Sequence, residues 1–261
     1  MSRRRLSFLF LACAVFSQTA LPAIAAPEPP VEGNQSRLAS LLRSSLDAYD
    51  TVKDYSAVFY KEERSEKKLG PKEKIYLKFE KPFKIFMKWL DTSKQGMQVL
   101  YERGRHRNKL MVHKPGFFLG LAPILFLDQN SPWVREGSVS HSIEDAGIGP
   151  FLADFSKNVS KGAQEKKLKI NFQDQKLGES GDTVEVTFEG SDERSGFFAY
   201  RILTFFDDKT KLPTRMQLFD WNNETMGVYS YEDLRLNTGP EDAAFKTQIQ
   251  RQLLKLYNHQ E

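Results

Sequence analysis

The residues with the clearest capacity for chemistry are His141, Glu144 and Asp145, an H-x-x-E spacing with a second carboxylate beside it. Imidazole and carboxylate together suit zinc binding or proton transfer. The triplet is therefore the candidate centre of a secreted metal-dependent or acid–base hydrolase. The same three residues equally suit capping and hydrogen bonding of the turn that precedes Gly147 and Gly149, and this structural reading is the favoured one. His106, His113 and His259 have no second histidine at a ligand spacing such as i, i+4. No G-x-S-x-G, P-loop or dinucleotide fingerprint occurs in the sequence, so the familiar hydrolase, NTPase and Rossmann chemistries lack their diagnostic residues. No cofactor and no metal is expected. Acids distant in sequence could still meet as a glycosidase pair.

Other chemistry-bearing groups read as surface or as wall. Arg103, Arg105, Arg107, His106 and Lys109 share one turn and read as a solvated hairpin tip rather than an anionic-headgroup site. Trp89, Trp133 and Trp221 either line a pocket or fill a core. For Trp89 the pocket and core readings stand about equal, because its strand neighbours are also large and apolar.

The stretch Tyr55–Trp89 positions these groups. It reads as three successive antiparallel strands. Ile75, Leu77 and Phe79 alternate with Lys74, Tyr76 and Lys78, and Phe83, Ile85, Met87 and Trp89 alternate with Lys84 and Lys88. Strict period two buries one face of each strand. A fourth strand, Met97–Arg103, turns Val99 and Tyr101 the same way, and a short fifth runs from Lys109 to His113. So large an inward apolar load needs a cover, either a helix or a ligand. Leu38, Leu41, Leu42, Leu46 and Tyr49 recur at helical spacing after a Ser36 cap and supply one such helix.

The apolar segment Phe117–Leu127, broken by Gly120 and Pro123, fits neither strand nor helix. It is expected as a buried plug, a flap over a cavity or a membrane-touching loop. Gly149-Pro150 opens a second helix whose buried side carries Leu152, Phe155 and Val159. Strands follow at Lys167–Leu177, Thr183–Glu189, Tyr200–Phe206, Pro213–Trp221 and Met226–Leu234. Thr238 with Glu241 then marks the start of a terminal helix with Phe245, Ile249, Leu253 and Leu256 on one face.

At the start of the chain, Arg3, Arg4 and Arg5 precede an apolar run from Leu6 to Phe16, and Ala23 and Ala25 give a small-x-small cleavage site. Residues 1–25 read as a signal peptide, so the protein is expected to be exported and periplasmic, by the Sec or, less readily, the twin-arginine route. The run is too short for a lasting anchor. The single cysteine, Cys13, lies inside it; lipid attachment there is the minor alternative. Removing residues 1–25 takes away three arginines and no acid, which lowers the formal charge from +4 to +1. That balance does not support nucleic-acid binding. Residues 26–35 read as a proline-rich flexible linker and residues 36–261 as one domain, expected to be monomeric.

"YSAVFYKEER", "LKFEKPFKIFMKW" and "HSIEDAGIG" together resemble a family of exported bacterial proteins known only as a domain of unknown function, over roughly Leu38 to Leu236. In order of elements the chain is also distantly similar to the LolA/LolB superfamily, the periplasmic lipoprotein carrier and its outer-membrane acceptor. "Y-S-A-x-F" and "K-P-F-K" resemble that superfamily's "F-x-A-x-F" and "R-P-x-R-F" patterns. The resemblance implies an α+β fold: a strongly curved antiparallel sheet, a LolA-like half-barrel, with helices covering its concave side. It implies a non-catalytic carrier or sensor for a lipid or other hydrophobic ligand. The partners would be a lipid or lipidated protein and an inner- or outer-membrane acceptor. The expected cavity wall is Phe83, Ile85, Met87, Trp89, Val99 and Tyr101, with Phe117, Phe118 and Leu121 on a flap. A cell-envelope interaction module with a filled core and no small ligand is the remaining alternative.

Overall fold

The computed structural model describes residues 31–65, 68–91, 94–115, 124–129, 131, 142–173 and 180–239. Helix α1 spans Val31–Thr51. It buries Leu38, Leu42 and Ser45, whereas Leu46, expected on the inner stripe, is exposed. Positions 38, 42, 45 and 49 follow the 3.6-residue period, and Leu46 falls beyond their edge. Ser36 lies within the helix rather than at its cap, and residues 31–35, expected as linker, are helical.

The strands are β1 (Asp54–Ser65), β2 (Lys68–Leu69), β3 (Glu73–Glu80), β4 (Lys84–Trp89), β5 (Gln98–Glu102), β6 (Leu110–His113) and β7 (Ile124–Leu127). After helix α2 (Ile148–Gln164) come β8 (Leu168–Gln173), β9 (Gly181–Phe188), β10 (Arg201–Asp207), β11 (Pro213–Phe219) and β12 (Thr225–Leu236). Among the described residues they form one antiparallel sheet in the order β7-β6-β5-β4-β3-β1-β12-β11-β10-β9-β8, with β2 paired to β1 alone. Each half is a meander of near neighbours, as short connections favour. The seam between the halves is the long-range pair β1·β12, in which Phe59 faces Tyr231 and Lys61 faces Tyr229. Neither edge strand pairs with the other, so the sheet stays open. Residues from β7 near one edge and from β11 in the other half line one cavity, which requires the sheet to curve strongly around it. The fold is thus the expected α+β curved half-barrel.

Two corrections concern the sheet. Ile124–Leu127, the tail of the segment expected to be neither strand nor helix, is strand β7 and pairs with β6. The face opposite the cavity is not uniformly solvated either. Lys78, Phe86, Leu100 and Met111 are buried there, forming a cross-strand row in which Lys78 pairs with Phe86, Phe86 with Leu100 and Leu100 with Met111. Lys78 Nζ donates to the Gly239 carbonyl at 3.2 Å, which offsets part of the cost of burying its charge.

Helix α2 is held at its start by a hydroxyl from β1. Gly147 adopts φ 111°, a conformation that strains any side chain, and the Ile148 N–H donates to Tyr55 Oη at 3.1 Å. Gly149 lies against Tyr49, and a Cβ placed there would overlap the phenol ring. The α1–α2 crossing depends on that missing atom. Leu152 and Phe155 are buried as expected, with Val159 partly so. At the other end Thr238 donates its N–H (2.9 Å) and hydroxyl (3.2 Å) to the Asp54 carboxylate. The expected terminal helix lies outside the described residues.

Candidate functional site

The alternation of β1 carries its own change of chemistry. Tyr55, Ala57 and Phe59 point inward, and two steps on the same face becomes Lys61 and then Glu63. β3 repeats the change in reverse, with Glu73 ahead of Ile75, Leu77 and Phe79, because Glu73 pairs with Lys61. The curved sheet therefore has an apolar interior with one charged end.

Between this interior and helix α2 lies a cavity of about 400 Å³. Its sheet wall is Phe59, Met87, Trp89, Val99, Leu110, Val112, Leu125, Leu127, Met216, Leu218, Tyr229 and Tyr231. Phe151 of α2 and Phe198 face them, and Ser142, Ile143, Ala146 and Gly147 line the approach. Phe59 stacks on Tyr231 with centroids 4.8 Å apart, which makes the seam an aromatic rib.

Of the expected wall, Met87, Trp89 and Val99 line the cavity. Phe83, Ile85 and Tyr101 point inward but are packed into the core beside it. Phe83 meets Phe79 edge-on at 5.4 Å and Tyr101 at 5.9 Å, so the apolar wall continues there as solid packing. Phe117, Phe118 and Leu121 lie outside the described residues. The seam residues Phe59, Tyr229 and Tyr231 and the β7 residues Leu125 and Leu127 were missed. The seam residues converge only through the β1·β12 pair, between strands more than 160 positions apart, and Leu125 and Leu127 sit in the unbroken apolar run Ile124–Leu127 with no alternation to mark their inward face.

The charged end is a compact network. Lys61 Nζ lies 3.1 Å from Glu63 and 3.5 Å from Glu73, and Lys94 Nζ lies 2.6 Å from Glu73. Trp89 Nε1 donates to Glu73 at 3.1 Å and the Tyr229 hydroxyl donates to Glu63 at 3.2 Å. The Glu73 side chain is only 9% exposed. Burial alone would raise its pKa, but the Lys61 charge and the hydrogen bonds from Lys94 and Trp89 outweigh burial and hold it below the usual carboxylate value. Burial, reinforced by Glu63, pushes the Tyr229 phenol far up, so it stays a neutral donor.

The alternative hydrolase centre gives way, at Glu144 and Asp145, to the favoured turn-capping reading. Ser142 and Asp145 form a reciprocal capping box around the short 3₁₀ turn Ile143–Asp145. Glu144 accepts from the Tyr101 hydroxyl and from Arg103 Nη2, the latter at 2.9 Å. Gln129 extends the chain by donating to Tyr101 at 3.0 Å and accepting from Ser142 at 2.7 Å. The Tyr101 hydrogen bond, helped by Arg103, lowers the Glu144 pKa against a smaller effect of burial. Glu144 holds the turn to β5 and its flank while Asp145 caps the turn itself; His141 lies outside the described residues. No cluster of three or more potential metal ligands occurs among the described residues. Likewise, no helix among them is long and apolar enough to cross a membrane.

Sheet and cavity together define a curved-sheet shell with a lined interior. The chain belongs to the family described as protein of unknown function DUF1571, whose match spans residues 52–251. No curated protein matches the sequence significantly. Similar solved structures include a LolA superfamily protein from Nitrosomonas europaea (10% identity, 78% of this chain and 96% of that one, TM-score 0.35). Another is the lipoprotein LppX from Mycobacterium tuberculosis (11% identity, 79% and 99% covered, TM-score 0.44). A third is the Pseudomonas aeruginosa MucA/MucB complex (13% identity, 81% and 61% covered, TM-score 0.45). Function is read from the cavity itself.

Proposed function

We propose that this protein is an exported, non-catalytic carrier or sensor that holds the apolar part of a lipid or similar ligand inside the curved sheet. The observation that carries the reading is the 400 Å³ cavity walled by Phe59, Met87, Trp89, Val99, Tyr229 and Tyr231. Its size falls within the range of about 300–1,000 Å³ usual for sites that enclose small organic ligands. Burial of a chain there gains about 0.8 kcal/mol per methylene removed from water. Of the carboxylates that line the cavity, Glu63 is paired with Lys61, Asp145 caps its own turn and Asp154 is solvent-exposed on α2, an arrangement that favours holding a ligand over acting on it.

The signal-like residues 1–25 support action in the periplasm, where an apolar ligand needs shelter to cross water between membranes. The partners are then the lipid or lipidated protein itself and a membrane-bound donor or acceptor. The test is native mass spectrometry, followed by solvent extraction, on protein purified from periplasm without detergent. One bound lipid per chain is expected. A clean apoprotein mass that persists after incubation with lipid vesicles overturns the reading and favours an interaction module with no small ligand.

A further inference from the structure

The cavity has two chemically different ends, and the charged one is built from buried groups. Lys61 and Glu63 have side chains 12% and 14% exposed. Burying ion pairs is seldom a net gain in stability, so a network placed against a cavity invites a role in recognition.

Its charge and valence specify the partner. Two ammonium groups, Lys61 and Lys94, stand against two carboxylates, Glu63 and Glu73. The Lys61 ammonium has three donors and two carboxylate neighbours, leaving one N–H for an acceptor. Glu63 accepts from Lys61 and Tyr229 and retains lone pairs on both oxygens. Within this group of four a donor and acceptors therefore lie side by side with no net charge, and Lys114, which also lines the cavity, is exposed to solvent. An anionic head that reached Lys61 would also meet two carboxylates within about 4 Å of that nitrogen, and a cationic head would meet the ammonium. Neither recovers the cost of leaving water. A hydroxyl group, which donates and accepts at once, matches both.

The volume limits the tail. A cavity of about 400 Å³, near the lower end of the range usual for small-ligand sites, suits the tail of a single-chain amphiphile.

We infer that the site selects a single-chain amphiphile with an uncharged, hydroxyl-bearing head, its tail along Phe59 and Val99 and its head hydrogen-bonded to Lys61 and Glu63. The inference rests on the cavity being a ligand site. Calorimetric titration of delipidated protein with four twelve-carbon amphiphiles tests it: 1-dodecanoylglycerol, dodecyl glucoside, dodecanoate and dodecyltrimethylammonium. Both hydroxyl heads are expected to bind about tenfold or more tighter than either ion, and the order of the first two tells a glycerolipid head from a sugar head. The double variant Lys61→Met/Glu63→Gln is expected to bring all four affinities together. Equal or tighter binding of either ion by the wild type overturns the head-group assignment while leaving the cavity reading intact. Absence of binding by all four overturns the cavity reading itself. The wild-type order decides the matter even if the double variant does not fold.

Discussion

At the level of single residues, the cavity and its charged end make separate demands. Val112 is half-buried on β6 and lines the cavity, so a carboxylate there has solvent within reach but blocks an apolar ligand. Val112→Glu is expected to abolish co-purifying lipid, measured by extraction, while the far-ultraviolet circular dichroism stays that of the wild type. Glu73 contributes to acid behaviour alongside other carboxylates held low, such as Glu144 and Asp220. Its pKa in the folded protein lies below the ordinary 4.5, so the unfolded chain takes up a proton at higher pH than the folded one. Its contribution is present above pH 4.5 and disappears as pH falls through the folded value. Urea unfolding at a series of pH values should show stability falling below about pH 4.5, and Glu73→Gln should flatten that fall. An unchanged slope in the variant would assign the acid sensitivity to other carboxylates.

Among the elements, the junction of α1, β1 and the start of α2 rests on two small details. Tyr55→Phe removes the acceptor for the Ile148 N–H and, since a buried unsatisfied donor costs about 1–3 kcal/mol, should lower stability by that amount in chemical denaturation. Gly149→Ala forces a methyl into the Tyr49 ring and should cost a similar 1–3 kcal/mol through overpacking. The elements themselves were legible in the sequence because strands alternate and helices repeat. The run from Tyr55 to Trp89 gives β1, β3 and β4, and Gly149-Pro150 marks α2 within a residue or two. Which inward positions face a void was not legible. Met87 and Phe83 read alike in the sequence, yet Phe83 is fixed between Phe79 and Tyr101 while Met87 faces open space. The difference depends on what the distant strands β11 and β12 place opposite. The network of Lys61, Glu63, Glu73 and Lys94 was hidden for the same reason: its members lie on two strands and a loop and become one group only through register. Local charge among them looked like ordinary solvation.

For the molecule as a whole, the seam β1·β12 joins two meanders that are each local in sequence. Asp54, Arg64 and Lys53 on one side reach Thr238, Glu224 and Asn237 on the other. Pairings of such sequence separation are slow to form, but once formed they tie both halves into one unit. Native-state hydrogen exchange should therefore find the amides of β1 and β12 exchanging last and those of the edge strands β7 and β8 first. Earlier exchange at the seam than in β9 and β10 would show that the two halves open independently.

Because β7 and β8 end the sheet among the described residues without meeting, the shell resembles a bent leaf spring rather than a sealed tube. Its radius can change by slight alterations of twist shared across many strand pairs, with no ladder hydrogen bond broken. A closed barrel fixes its bore by strand number and stagger, whereas this one has a bore with compliance. On the carrier reading proposed above, chains of different length would then be accommodated at small elastic cost.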